Sequence, residues 1–235
     1  MEIVYGKNTV ESYLKNKNKK VKKLWLLNTK ASEKYVEIAK KNNLPYALVN
    51  KAKLDSLCKE RHQGFVLEIE GYDYVSLESI ATKKEHNLIV MLDGLEDPHN
   101  LGAILRTCDA IGVDGVVIGK HRSASLNATV AKVSTGAIDT VDVHQATNLV
   151  NALGYLKEQG FWVVAAENGI DAVSYTEFPV DMPIVLVMGS EGKGISRLVI
   201  ESSDIKTTIP MNGTVNSLNV SVATAVLLFE INRRK

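Results

Sequence analysis

The sequence predicts an α/β protein: a small N-terminal α/β domain followed by a larger doubly wound domain with a parallel sheet. Three observations predict it. First, apolar runs recur at LIVMLD (88–93), GVVIG (115–119), TVDVH (140–144), FWVVAAEN (161–168), PIVLVMG (183–189) and IKTTIP (205–210). Strands that are apolar at successive positions are buried on both faces, as in a parallel sheet. Second, helical patterns separate these runs, and strand–helix alternation is the signature of a doubly wound sheet. Third, charge is divided along the chain. Residues 1–72 carry 15 Lys+Arg against 8 Asp+Glu, and residues 73–235 carry 13 against 19, although the whole chain is only +1. A basic half joined to an acidic half points to two domains. The basic one either faces a polyanion or presents a solvated lysine-rich surface.

Composition removes several classes of function. No run approaches the roughly 18 apolar residues of a membrane span. The start, MEIVYGKN, lacks the apolar core of a signal peptide. Cys58 and Cys108 are the only cysteines, so no disulfide framework is expected and a reducing, cytoplasmic location is. Two cysteines and five scattered histidines give no metal-ligand spacing, and no metal is expected.

In the N-terminal domain TVESYLK predicts a short helix and KVKKLWLLN a strand. SEKYVEIAKKN predicts an amphipathic helix with Ser32 as its cap. LPYALVN, KAKLDSLC and QGFVLEIEGY follow as strand, helix and strand. The lysine cluster at 15–23 falls at a helix-to-strand connection, a place from which lysines reach phosphates without disturbing a core. RHQG (61–64) reads either as an RNA contact or as a plain turn. Residues 73–84 are polar and weakly periodic, and are expected to be a linker between a domain at 1–72 and one at 85–235.

In the second domain the helices are NLGAILRTCDAIG, LNATVAKVS, ATNLVNALGYLKEQG, ISRLVIESS and a terminal helix from about Leu218. Gly112 and Gly160 suit helix C-termini. Ligands of such sheets bind at the carboxyl ends of strands, and three strand ends carry unusual loops. In DGLEDPHNLGAILRTCDAIG (93–112), Asn100 is a candidate cap. Leu101, Ile104, Leu105, Cys108 and Ile111 make a buried stripe, and Arg106 lies off it. Arg106 serves either a site or an i,i+3 ion pair with Asp109. GSEGKGIS (189–196) is a Gly-rich turn after a strand, but it matches neither the Walker nor the dinucleotide spacing, and Glu191 within it would repel a triphosphate. The third loop is IPMNGTVNSLN (209–219). Asn216 or Ser217 is the expected cap of the terminal helix, which is apolar on nearly every side and so requires burial on more than one face.

DGLEDPHNLGAILRTCDAIG, IVLVMGSEGKGIS and IPMNGTVNSLNVSVATAVLLFE, in this order, resemble the three motifs of the SpoU/TrmH branch of the SPOUT methyltransferases. The segments IVYGKNTVESYL and RHQGFVLEI resemble the ribosomal-protein-like RNA-binding domain that precedes this catalytic domain in bacterial rRNA 2′-O-methyltransferases. The resemblance implies a trefoil-knotted SPOUT domain, S-adenosylmethionine as methyl donor and an obligate homodimer packed partly through the terminal helix. It further implies an RNA substrate rather than DNA, most closely a guanosine ribose of large-subunit rRNA, with tRNA as the alternative. By motif position it implies cofactor contacts at Gly189, Ile209, Met211 and Leu218, and a catalytic set of Asn100, Arg106, Glu191, Ser217 and Asn219. Outside this family, a non-catalytic ribosomal RNA-binding protein accounts for the basic half alone. A Rossmann-like metabolic enzyme is disfavoured by the missing phosphate motifs.

Overall fold

The computed structural model describes residues 2–15, 21–83, 85–169 and 171–235, and the chain separates into two compact units, Met1–Tyr72 and Asp73–Lys235. The first unit contains β1 (Glu2–Tyr5), α1 (Lys7–Lys15), β2 (Val21–Leu27), α2 (Glu33–Lys41), β3 (Tyr46–Val49), α3 (Lys51–Leu57) and β4 (Phe65–Ile69). Its sheet runs β1-β4-β2-β3, with β4 antiparallel to both neighbours and β2 parallel to β3. Strand β1 goes unseen in the sequence pattern, since four residues are too few to show a period.

Two expectations change in this unit. Ser32 occupies the cap position of α2, but its hydroxyl donates to the Leu27 carbonyl at 2.6 Å instead of accepting a helix N–H. His62 is buried and its hydrogen bonds are internal: Nδ1 accepts the Gly64 N–H at 3.0 Å, which leaves the proton on Nε2 to donate to Asp55 at 2.9 Å. RHQG forms a turn, with Gln63 and Gly64 both at positive φ and Arg61 exposed. Residues 16–20 of the 15–23 lysine cluster lie outside the described residues. Lys23 sits 4.1 Å above the ring of Trp25.

The second unit contains α4 (Leu77–Lys83), β5 (Leu88–Asp93), α5 (Pro98–Ile111), β6 (Gly115–Gly119), α6 (Ala128–Ser134), β7 (Val143–Ala146), α7 (Leu149–Glu158), β8 (Trp162–Ala166), β9 (Val173–Ser174), β10 (Ile184–Gly189), α8 (Arg197–Glu201), β11 (Ile205–Thr208) and α9 (Val220–Arg234). Its strands form a parallel sheet in the order β7-β6-β5-β10-β8-β11-β9. The stretch expected as a linker, 73–84, contains α4, whose Ile80 and Ala81 are fully buried. One short helix with two core residues is too little for periodicity to reveal. The run TVDVH is displaced as well. Val141 closes a turn on Ala137, and β7 begins only at Val143.

Alternation along the buried strands separates two cores. Ile89, Met91, Val117, Val163, Val185 and Val187 join a cluster with Ile80 of α4, Leu153 and Leu156 of α7 and Val199 of α8. On the other face, α5 packs against α6 and α9. The α5–α6 approach depends on Gly102, where a Cβ would lie 2.7 Å from Val133 Cβ.

The entry to β5 is clamped from both sides. Asp114, buried at the start of β6, accepts the N–H groups of Glu85, His86 and Leu88 at 3.0–3.1 Å. Lys235 donates to the carbonyls of His86 and Asn87 at 2.9 Å. Burial lowers the pKa of that ammonium, while Asp114 acts in the opposite direction. Hydrogen bonds to a charged group each contribute roughly 1.5–3 kcal/mol. Asp114→Ala is expected to cost about 3 kcal/mol or more in urea unfolding, because three donors, the buried N–H of Leu88 among them, lose their acceptor together.

Candidate active site

In the larger sheet the chain starts at β5, moves outward through β6 and β7, then crosses to the other side, and β10 returns to lie between β5 and β8. Direction reverses at the β5–β10 boundary, and crevices form at the carboxyl ends of strands at such a switch point. Asp93 ends β5 and Gly189 ends β10, in register with each other.

The turn after β10 is closed by reciprocal backbone bonds, Ser190 N–H to Gly194 O at 3.1 Å and Gly194 N–H to Ser190 O at 2.9 Å. Gly189 lies against its return limb, where a Cβ would stand 2.2 Å from the Gly194 carbonyl carbon. Glycine is therefore required there by space. The turn is tied to the next strand end by Ser196 N–H donating to Asp93 Oδ2 at 2.7 Å.

Helix α5 starts earlier than its apolar pattern suggests. Asp97 is its cap, accepting the His99 N–H at 2.8 Å, with Pro98 at the first helical position. Asn100 is consequently in the first turn and does not cap. It is buried, and its Nδ2 donates to Glu191 Oε1 at 3.1 Å. The cap of α9 is likewise neither Asn216 nor Ser217 but Asn219, whose Oδ1 accepts from Ser221 N–H at 2.9 Å and Val222 N–H at 3.4 Å. Its Nδ2 donates to Asn100 Oδ1 at 3.1 Å and to Glu191 Oε1 at 2.5 Å. Three residues far apart in sequence, from the three loops, thus form one closed hydrogen-bonded group.

Beside this group is a cavity whose wall includes Gly189, Ile209, Met211, Leu218, Glu191 and Ser217. The four candidate cofactor residues and two of the candidate catalytic ones therefore meet in one place. Glu167 and Asn168, at the end of β8, also line it, and no motif pointed to them. A polar pair directly after an apolar strand run is the signal that could have found them. Asn168 joins two loops by accepting the Thr208 hydroxyl at 2.6 Å and donating to the Asn216 carbonyl at 3.4 Å. The described lining holds two carboxylates, Glu167 and Glu191, and no lysine or arginine. Its remaining surface is largely aliphatic, from Met188, Leu218, Val220, Ala223 and Leu227. These residues suit a ligand with an apolar body and positive charge.

Arg106 does not join them. It is exposed, lines neither this cavity nor the neighbouring one, and has no hydrogen bond or ion pair among the described residues. Its alternative role also fails, because Asp109 instead accepts the Thr140 hydroxyl at 2.5 Å.

Known proteins match both units. Residues 87–229 match the model of the SpoU rRNA Methylase family, and residues 3–75 match that of the RNA 2′-O ribose methyltransferase substrate-binding domain. A TrmH family tRNA/rRNA methyltransferase of Bacillus subtilis is 42% identical, over 100% of this chain and 96% of its own length. Another, of Staphylococcus saprophyticus, is 45% identical over 85% of this chain and 82% of its own. Among solved structures, the AdoMet-bound rRNA methyltransferase of Sinorhizobium meliloti aligns with a TM-score of 0.74 at 25% identity, covering 99% of this chain and 87% of that one. The TrmH/SpoU tRNA modifying enzyme of A. aeolicus aligns with a TM-score of 0.60 at 36% identity, covering 67% and 80%. With the family model spanning every strand of the larger sheet, the loops at its switch point belong to an RNA methyltransferase, and the chain is a member of the SpoU rRNA Methylase family.

Proposed function

We propose that this enzyme transfers a methyl group from S-adenosylmethionine to a ribose 2′-hydroxyl of RNA, with a guanosine of large-subunit rRNA as the target. The observation that carries this reading is the Asn100–Glu191–Asn219 group standing beside a cavity with carboxylates and no cation. A cofactor bearing a sulfonium and an ammonium matches that lining, whereas a nucleoside triphosphate does not. The description of the family matched at 87–229 favours rRNA, and tRNA is the second reading because the relatives' names include both.

The donor supplies an activated methyl group, so the protein's tasks are alignment and removal of one proton. Gly189, Ile209, Met211 and Leu218 are the residues that would hold the cofactor, Gly189 by letting the turn after β10 fold back against its own strand. Holding both reactants in position accounts for a large share of such a rate, since it removes a bimolecular entropy cost. Asn100 and Asn219 both donate to Oε1 of Glu191, and Oε2 takes no hydrogen bond among the described residues. That oxygen is free to accept the 2′-hydroxyl proton. Ser217, exposed on the cavity rim, is suited to orient the ribose. RNA rather than DNA follows from the 2′-hydroxyl itself.

The enzyme acts as a homodimer in this reading. Helix α9 is covered on one side by α5, and Val222 and Phe229 are 49% and 55% exposed on the other. Six residues separate Arg106 from Asn100, which is about 9 Å along a helix axis and roughly two-thirds of a turn around it. Arg106 therefore lies on a different side of α5 from Asn100, and a second subunit would give it a site to reach. Guanidinium is normally protonated, so its role there is to hold a phosphate and polarise the hydroxyl.

Four outcomes test these assignments. Methyl transfer to an rRNA transcript is expected to fall at least about 100-fold in Arg106→Ala and less in Arg106→Lys. Mixing inactive Arg106→Ala with inactive Glu191→Ala subunits should restore about a quarter of wild-type activity, because half the dimers then hold one intact site; no recovery would place Arg106 in its own chain's site. Asn219→Asp should keep the helix cap and lose turnover, while Asn219→Ala should also lose about 1 kcal/mol in urea unfolding. Gly189→Ala should weaken cofactor binding at least about tenfold by calorimetry, through the clash with Gly194.

A further inference from the structure

A second cavity adjoins the first and shares Ser190, Glu191 and Gly194 with it. Its walls come from the carboxyl ends of β5, β6, β7 and β10, and beside four carboxylates it carries the cationic side chains that its neighbour's lining lacks. Lys120, His121 and Arg122, from the loop after β6, line it together with Lys193 from the turn after β10. None of these four side chains has a hydrogen bond or ion pair among the described residues. The cavity also contains acids, but three of them already serve as acceptors. Asp93 takes the Ser196 N–H, Asp97 the His99 N–H and Glu191 the two amides, leaving Glu96 without a partner among the described residues.

The cationic loop is held in a fixed shape. Lys120 N–H donates to Ala146 O at 2.8 Å at one end, and Ala124 N–H donates to Leu95 O at 2.6 Å at the other. Between them Arg122 has φ 53°, in the left-handed region that side chains other than glycine, asparagine and aspartate seldom adopt. Strain of this kind persists where the surrounding structure enforces it, and it concentrates at ligand-binding sites. The loop thus spends backbone energy to display an arginine that has no polar partner among the described residues.

We propose that this second cavity is the acceptor-nucleotide subsite and that Lys120 and Arg122 bind the phosphodiester beside the target ribose. This rests on the RNA 2′-O-methyl transfer reading above. The shared wall puts Glu191 between the two compartments: one without lysine or arginine for the methyl donor, and one whose unpaired cations face the RNA. An arginine on a pinned loop presents a planar fork suited to phosphate oxygens, and phosphate contacts fix the register of the strand without reading its sequence.

The test compares wild-type protein with Lys120→Ala/Arg122→Ala and with Arg122→Gly, using in vitro transcripts of large-subunit rRNA and bulk tRNA. Glycine relieves the left-handed strain, so Arg122→Gly removes the charge while favouring the loop conformation. Both variants are expected to bind S-adenosylmethionine as wild type does in calorimetry. Both should raise the KM for RNA about tenfold. The salt dependence of RNA binding should fall by about 0.7 in log–log slope for each single-stranded phosphate that the variant no longer neutralises. Unchanged KM and salt slope in variants that retain cofactor binding and methyl transfer would overturn the subsite alone. Wild-type protein that binds the cofactor but methylates neither RNA would overturn the transfer reading, and the subsite with it.

Discussion

One side-chain amide sets the polarity of the whole site. An asparagine has an accepting end and a donating end, and no freedom to exchange them once one end is fixed. In Asn219 the accepting end is fixed by the free N–H groups of Ser221 and Val222 at the start of α9. Its donating end must then face Asn100 and Glu191. Asn100, whose own oxygen receives Asn219, is left to donate to the carboxylate. Every hydrogen bond in the group thus runs in one direction, from a helix terminus to Glu191. The carboxylate is held as an acceptor by two donors, and hydrogen bonds to a charged group contribute roughly 1.5–3 kcal/mol each. Reversing any amide would set donor against donor.

The sheet order explains why such distant residues meet. Because β10 lies between β5 and β8, the loops after β5 and β10 emerge side by side, and the loop after β11 reaches them across β8. Gly189 allows the β10 turn to fold back on its own strand, and Ser196 and Asp93 join that turn to β5. The result is two compartments on either side of a shared carboxylate, one with no lysine or arginine in its lining and one lined by Lys120, Arg122 and Lys193 as well as by acids. Neither would exist if β10 were at the edge of the sheet, since the turn would then face solvent on one side.

What the sequence shows clearly is what depends on burial. The strands β5, β6, β8 and β10 lie within the apolar runs because both their faces are covered, and the stripe of α5 is buried as its spacing requires. Helix starts are less legible because several polar residues compete near each one. In EDPHN the Asp-Pro pair takes the cap and frees Asn100 for Glu191; in NSLN the last asparagine caps, and the earlier Asn216 and Ser217 remain in the loop. These choices depend on where the carboxylate stands, which is tertiary information. Strand β1 and helix α4 are hidden by their shortness. Arg106 shows the sharpest limit, since a motif places a residue in sequence but does not say whether it joins the other motif residues in the folded chain, and here it lines neither cavity.

Helix α9 connects the proposed assembly to this site. Its buried positions, Val220, Thr224, Leu227, Leu228 and Ile231, satisfy one face, and even Thr224 is internally bonded, its hydroxyl donating to the Val220 carbonyl at 2.6 Å. The opposite positions Val222, Val226 and Phe229 follow the i, i+4, i+7 spacing of a second stripe. Val222 belongs to both functions: its side chain is on the open face while its N–H is one of the groups that fix Asn219. Helix ends fray unless they are held. Covering that face in a homodimer would therefore stabilise the first turn of α9, and with it the amide orientation on which Glu191 depends. An isolated chain would retain the fold of the sheet yet hold its donors to Glu191 more loosely, so the proposed dimer and the catalytic geometry have a common physical origin at the start of one helix.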